Sequence, residues 1–274
     1  MTEFFMCSVP FFKRLMAWFV RCNAEDVEFY PGDGPAGTVH CGCLDMERIL
    51  LSNADFRAAT CVMSEPHWRS IYPLYEMLAD MDRPGSSIMV DFTHQQISFM
   101  TSTGIQTIHY PDMFDHEEEP LPHECNAKLE AALFPNMRDA RGISVVRDDL
   151  RQALEVLIRV GGDHGLTMTL EPGSDQLLLE TKDEDDGIST ETRFNITLFQ
   201  GVDSIFVDHV LYTPATLWRA LGPDDANEHA TLTLLFSPKQ PSPILIRGLF
   251  QNDHGKLGHW QTLVAPCRFE DDQM

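Results

Sequence analysis

The residues with the most reactive side chains cluster early. The run VHCGC places His40, Cys41 and Cys43 within four positions, and Cys61 and His67 follow. Thiolates and imidazoles of this kind bind zinc. Cys41 and Cys43 fall on a strand-like run, however, so their side chains point the same way, and no matching second pair follows. Buried free cysteine is the expected fate, with no metal and no cofactor. The seven cysteines are scattered and odd in number, which suits a reducing compartment better than a disulfide framework. No phosphate-binding Walker loop, no Gly-x-Ser-x-Gly and no His-Glu-x-x-His occurs, so the sequence offers no recognised catalytic constellation.

The second chemistry is cationic. The formal net charge is -22, with only 20 Lys and Arg in 274 residues. A phosphate-binding surface needs cations, so the bulk charge argues against nucleic acid and placement becomes decisive. Eight of the cations fall on predicted helices: Lys13, Arg14 and Arg21 on the first, Arg69 on the second, Arg147, Arg151 and Arg159 on the third, and Arg219 on the last. The first helix carries no acidic residue, whereas Asp148, Asp149 and Glu155 share the polar face of the third and Glu65, Glu76, Asp80 and Asp82 dilute the second. Two readings are equally open. Arginine is common on helix surfaces, and a row of arginine-bearing helices also tracks a phosphate backbone without reading bases. Acidic residues collect instead at 112–142, in TKDEDDG and in the terminal EDDQM.

The elements that carry these side chains repeat. PFFKRLMAWFVRC, residues 10–22, has Phe12, Leu15, Met16 and Phe19 on one helical face. Four strand-like runs follow, then a helix read from Ser64 to Met81 with Ser64 as N-cap and a break at Pro73, then three strands. After 112–142 the order returns: a strand ISVV, the amphipathic RDDLRQALEVLIRVGG, four strands, a short helix over 213–222, and three strands. Trp68-Arg69 and Trp218-Arg219 place the same dipeptide on both second helices. A repeat of this length is a duplicated domain. The expected organisation is 1–111, a connecting loop 112–142, and 143–274, in an α+β chain with 43% hydrophobic residues. The N-terminal apolar run is interrupted by Lys13 and Arg14 and no segment reaches the roughly 18 apolar residues of a membrane span, which gives an intracellular expectation without membrane contact.

In element order along its whole length, the chain resembles the sliding clamps of the proliferating cell nuclear antigen type. CLDMERILL, residues 43–51, is similar to the Ala-Met-Asp turn and strand of that family, with Leu44-Asp45 in the Met-Asp place. SPILIRGLF and the closing LVAPCRFEDDQM are similar to its last strands, Ala-Pro and acidic tail. The resemblance implies two tandem clamp domains with helices on an inner face and antiparallel sheets outside. It implies a non-enzymatic ring around double-stranded DNA that tethers a DNA polymerase, closes as a homotrimer through edge strands IQTIHY and SIFVDHV, and is opened by a clamp loader. It also implies a pocket for clamp-binding peptides at Leu44, Ile49, Leu51, Pro243, Ala265 and Pro266, covered by Leu133 or Phe134. A subunit of a heterotrimeric checkpoint clamp, or a protein-interaction module that binds no DNA, remain the alternatives.

Overall fold

The computed structural model describes residues 2–32, 36–47, 49–79, 81, 85–109, 122, 128, 141–161, 165–170, 175–183, 188–198, 212–224, 230–236, 243–251 and 257–266. The chain divides into two compact units. The first comprises Met1–Asn126, Pro223–Asp225 and Leu249–Trp260, and the second comprises Ala127–Gly222, Ala226–Gly248 and Gln261–Met274. Most of the 112–142 segment, Leu133 and Phe134 included, lies outside the described residues, as does SIFVDHV. Arg141 and Gly142, at its end, already belong to a strand.

The first unit opens with β1 (Phe4–Ser8) and α1 (Val9–Arg21). Ser8 is extended and its hydroxyl accepts from the Phe11 N–H at 3.3 Å, which caps the first turn, while Pro10 occupies a position that needs no N–H. The helix then buries Phe11, Phe12, Leu15, Met16, Trp18 and Phe19. Strands β2 (Asp26–Pro31), β3 (Thr38–Leu44) and β4 (Leu50–Arg57) form an antiparallel meander, and β5 (Thr60–Val62) pairs with β1. Strand β6 (His67–Ser70) pairs with β2 and leads into α2 (Ile71–Ala79), which packs on α1. Strands β7 (Ser87–Asp91), β8 (Gln96–Thr101) and β9 (Gly104–His109) complete the sheet in the order β5-β1-β7-β8-β9. Its core is aromatic: Phe5 lies 5.1–5.9 Å, centroid to centroid, from Phe29, Phe12, Phe56 and Phe92.

The second unit uses the same plan. Strand β10 (Arg141–Val146) runs into α3 (Arg147–Gly161), and β11 (Leu166–Leu170), β12 (Gln176–Asp183) and β13 (Ile188–Leu198) form an antiparallel meander. Helix α4 (Pro214–Arg219), capped by the Thr213 hydroxyl, packs on α3. Strands β14 (Thr231–Phe236), β15 (Ile244–Gln251) and β16 (Leu257–Val264) follow, with Leu249–Gln251 of β15 and Leu257–Trp260 of β16 counted in the first unit. The core here is aliphatic, with Ile143, Val145, Leu150, Leu154, Leu157, Leu166, Leu177, Leu179, Leu232 and Leu234 all buried.

Duplication is visible in the hydrogen bonds. In each unit the strand before the first helix pairs antiparallel with the strand after the second, β1 with β7 and β10 with β14. The first residue of each leading helix donates its N–H to the residue before that later strand: Val9 to Ser86 O at 3.0 Å, and Arg147 to Ala230 O at 2.8 Å. The segment entering each second helix bridges to the first strand of the meander, β6 to β2 and Tyr212 to Leu166.

Two expectations change. The helix read from Ser64 begins at Ile71, because His67–Ser70 is held as a strand by β2. Pro73 therefore falls in the first turn of α2, where no backbone donor is needed, and does not break it. The shared Trp-Arg dipeptide is not a repeat mark either, since Trp68-Arg69 lies on β6 and Trp218-Arg219 at the end of α4.

Candidate nucleic-acid interface and partner pocket

On α1 the residues left at least partly open are Pro10, Lys13, Arg14, Ala17, Val20 and Arg21. At 100° per residue they occupy one stripe, opposite the buried aromatic face. All three cations of the helix therefore share that stripe, and no carboxylate stands on the helix. Within the first unit Arg21 also donates to Asp224 Oδ1 at 3.1 Å. Arg14 lines the same crevice beside Asp224, with Phe11, Leu15 and Phe250. The half-burial of these side chains fixes the helix-proximal stems while the helix presents positive charge along about two turns.

Arg69 does not belong with them. It sits on β6, is 4% exposed, donates to Trp68 O at 2.6 Å and lies 4.9 Å over the Phe92 ring. With Arg69 on a strand, α2 has no Lys or Arg, and its exposed positions are Tyr72, Glu76 and Ala79.

The third helix differs again. Arg147 is 4% exposed; its Nε donates to Leu221 O at 3.0 Å and an Nη to Gly222 O at 3.1 Å. Those carbonyls end the turn that follows α4, so the expected phosphate ligand is instead a buried cap for a helix C-terminus. Arg151 is bracketed by Asp148 at 3.7 Å and Glu155 at 4.0 Å. The exposed stripe of α3 carries Asp149, Gln152, Val156, Arg159 and Val160. One cation there faces one acid and two exposed valines. Arg219, half-buried, closes α4.

The LDMERIL turn is built around one carboxylate. Asp45 is 2% exposed, and its Oδ1 accepts from the N–H groups of Ile49 at 2.6 Å and Leu50 at 2.7 Å, while its own N–H donates to Leu50 O. A single acid thus closes the β3–β4 connection and fixes Leu44 opposite Leu51. Leu44 and Ile49 remain half-exposed and Met46 is 60% exposed, whereas Leu51 is buried in the core. Leu44, Ile49 and Leu51 come together in the first unit. Pro243, Ala265 and Pro266, each half-buried, flank β15 and β16 in the second.

Cys41 and Cys43 are free and buried, and desolvation pushes both thiols well above their ordinary range. His40 instead pairs through Nδ1 with Asp55 and stacks on Tyr30 at 4.9 Å. Among the described residues VHCGC supplies no set of donors at metal-ligand spacing.

These two duplicated units, each with a helix pair and antiparallel sheets, find counterparts among solved structures. The proliferating cellular nuclear antigen of Entamoeba histolytica superposes with a TM-score of 0.66 at 12% identity, covering 97% of this chain and 99% of that one. The chain has the fold of the sliding clamps. The DNA polymerase III beta subunit of Thermotoga maritima gives a TM-score of 0.62 at 13% identity, and the DNA polymerase sliding clamp of Pseudomonas aeruginosa 0.60 at 15%. Both are matched over 97% of this chain, which spans 66% of their length. At the level of sequence, no family model matches, and a search of curated proteins returns no match. The clamp fold here is carried by topology and burial pattern rather than by residue identity. Among the described residues no helix is long and apolar enough to cross a membrane.

Proposed function

We propose that the chain is a subunit of a DNA sliding clamp, a ring that encircles duplex DNA and tethers a polymerase without itself catalysing a reaction. The observation that carries this is the α1 stripe. In a chain of net charge -22, the sliding-clamp fold coincides with a helix on which Lys13, Arg14 and Arg21 share one face and no acid is present. Phosphate contact by such a stripe is weak and independent of sequence. Weak contact suffices when escape requires a ring to open, and the acidic remainder suppresses adhesion elsewhere. Arg151, Arg159 and Arg219 are secondary candidates for the same role.

Ring closure would use β9. This edge strand of the first unit is exposed at five of its six positions, including Ile105 at 71%, and carries no Lys, Arg or Pro to discourage pairing. Three copies of a two-domain subunit would supply the six domains of a clamp ring, loaded by a clamp loader. Leu44 and Ile49, presented by the Asp45-braced turn, would receive the apolar anchor of a polymerase peptide. Pro243, Ala265 and Pro266 are the further candidates from the second unit.

The test is topological. The assembled ring, placed on nicked circular DNA by its loader, is retained through gel filtration at elevated salt and released when the circle is cut. Equal retention on circular and linear DNA would refute encirclement. A mass for the purified assembly other than three chains would refute the trimer.

A further inference from the structure

Three strand ends of the first unit converge outside the regions discussed so far. Phe4 pairs with Val62 of β5 and with Asp91 of β7. The register therefore carries Glu3, the residue before β1, alongside Ser64–Pro66 after β5 and Phe92–Thr93 after β7. Glu3 is clamped at both backbone ends: its N–H donates to Thr93 Oγ1 at 2.7 Å and its carbonyl accepts from the Phe92 N–H at 2.9 Å. Its side chain accepts from the Ser64 hydroxyl through Oε1 and meets His67 Nε2 through Oε2 at 2.7 Å. The imidazole of His67 is fixed by stacking on Phe92, 4.2 Å between centroids and 5° from parallel. Glu65, exposed, brings a third donor, and one atom from each of Glu3, Glu65 and His67 lies within 4.8 Å of the others.

We propose that Glu3, Glu65 and His67 form a binding site for a divalent transition metal of the zinc class. One imidazole nitrogen and two carboxylates suit Zn2+, which accepts mixed N/O donors and imposes no geometry of its own. Donors about 2.1 Å from one ion stand about 3.0 Å apart in an octahedral set and about 3.4 Å in a tetrahedral one. The Glu3–His67 pair, at 2.7 Å, opens by a few tenths of an ångström to admit the ion. The ion takes the place of the proton between Oε2 and Nε2: His67 binds as the neutral ring with its proton on Nδ1, and an imidazolium releases its second proton to solvent. The Ser64 hydroxyl orients one carboxylate and Phe92 orients the ring, the outer support that metal ligands need. The ion would join β6, which pairs with β2, to the ends of β1 and β5 in the other sheet of this unit. It would therefore act as a staple between the two sheets, independently of any role in DNA binding.

The full chain, stripped with a chelator, is titrated with Zn2+ alone by calorimetry and with Co2+ alone by visible absorption. The expected result is one ion per chain at this site, with a higher melting temperature when Zn2+ is present. Glu65→Gln, at an exposed position, and His67→Gln each weaken binding at least about tenfold and abolish the thermal shift. His94→Gln, which removes only the pair with Asp91, leaves both unchanged. Absence of binding below millimolar Zn2+ in the wild-type chain overturns the proposal. Unchanged affinity in either Glu65→Gln or His67→Gln also overturns it, because the ion would then sit on other donors.

Discussion

Helices α1 and α3 occupy the same place in two copies of one fold, yet their surfaces have little in common. Each follows its strand without a break, and each starts with the same backbone bond to the residue before the returning strand. On α1 the open stripe carries three cations and no acid. On α3 the first arginine is buried as a cap, the second stands between two acids, and the third shares its stripe with Asp149, Val156 and Val160. Backbone pairing constrains the architecture and leaves helix surfaces free to diverge. A count of arginines per helix therefore overstates the open positive charge on each helix. The cores differ as well, since Phe5 sits where Ile143 sits, four residues before each helix, within an aromatic cluster in one unit and among aliphatic side chains in the other.

The largest effect should come from that contrast in cores. Phe5→Ala removes the ring that touches four others and is expected to cost about 3–5 kcal/mol. Ile143→Val, a single methylene at the equivalent place, should cost about 0.5–1.5 kcal/mol. Urea denaturation of the two variants measures both, and equal losses would break the comparison. Next is Arg147→Met. It leaves buried carbonyls of Leu221 and Gly222 without their donor and should destabilise by about 1–3 kcal/mol for each group, while DNA affinity stays unchanged at matched folded fraction. A loss of affinity would return Arg147 to the interface.

Asp45→Ala should cost about 1.5–3 kcal/mol by denaturation, since a carboxylate that accepts two backbone N–H groups disappears from a buried turn. The same variant should weaken binding of a polymerase-derived apolar peptide, because Leu44 and Ile49 lose their brace. The smallest effects lie at two caps on different helices of the plan, Ser8 on the leading helix of the first unit and Thr213 on the second helix of the second. Ser8→Ala and Thr213→Ala should each cost about 1 kcal/mol by denaturation; Val146, which stands where Ser8 stands, has no hydroxyl to cap α3, so the cap is a further point at which the leading helices differ.

Much of this was legible before the structure. The buried face of α1, the return of the element order in the second half and the burial of Cys41 and Cys43 follow from periodicity and composition. What was hidden depended on pairing across the chain. His67–Ser70 has a helix-like flank, and only β2 makes it a strand, taking Arg69 off the helix surface. Arg147 reads as an exposed first-turn arginine until α4 offers its terminal carbonyls 74 residues away. Asp45 reads as a turn residue, but its two N–H partners come only with the folded loop. Glu3 and His67, 64 positions apart, meet through strand register, which no local pattern reveals.

The most direct test of the account is the salt dependence of duplex DNA binding by the purified chain, measured for wild type, for Lys13→Glu/Arg14→Glu/Arg21→Glu and for Arg151→Glu/Arg159→Glu. Three phosphate contacts contribute a slope of about -2.7 in log K against log salt. The account predicts that the α1 variant loses at least that much slope, with affinity at low salt falling accordingly, while the α3 variant changes it by less than about 1. Equal losses in the two variants, or no loss in the first, would contradict it.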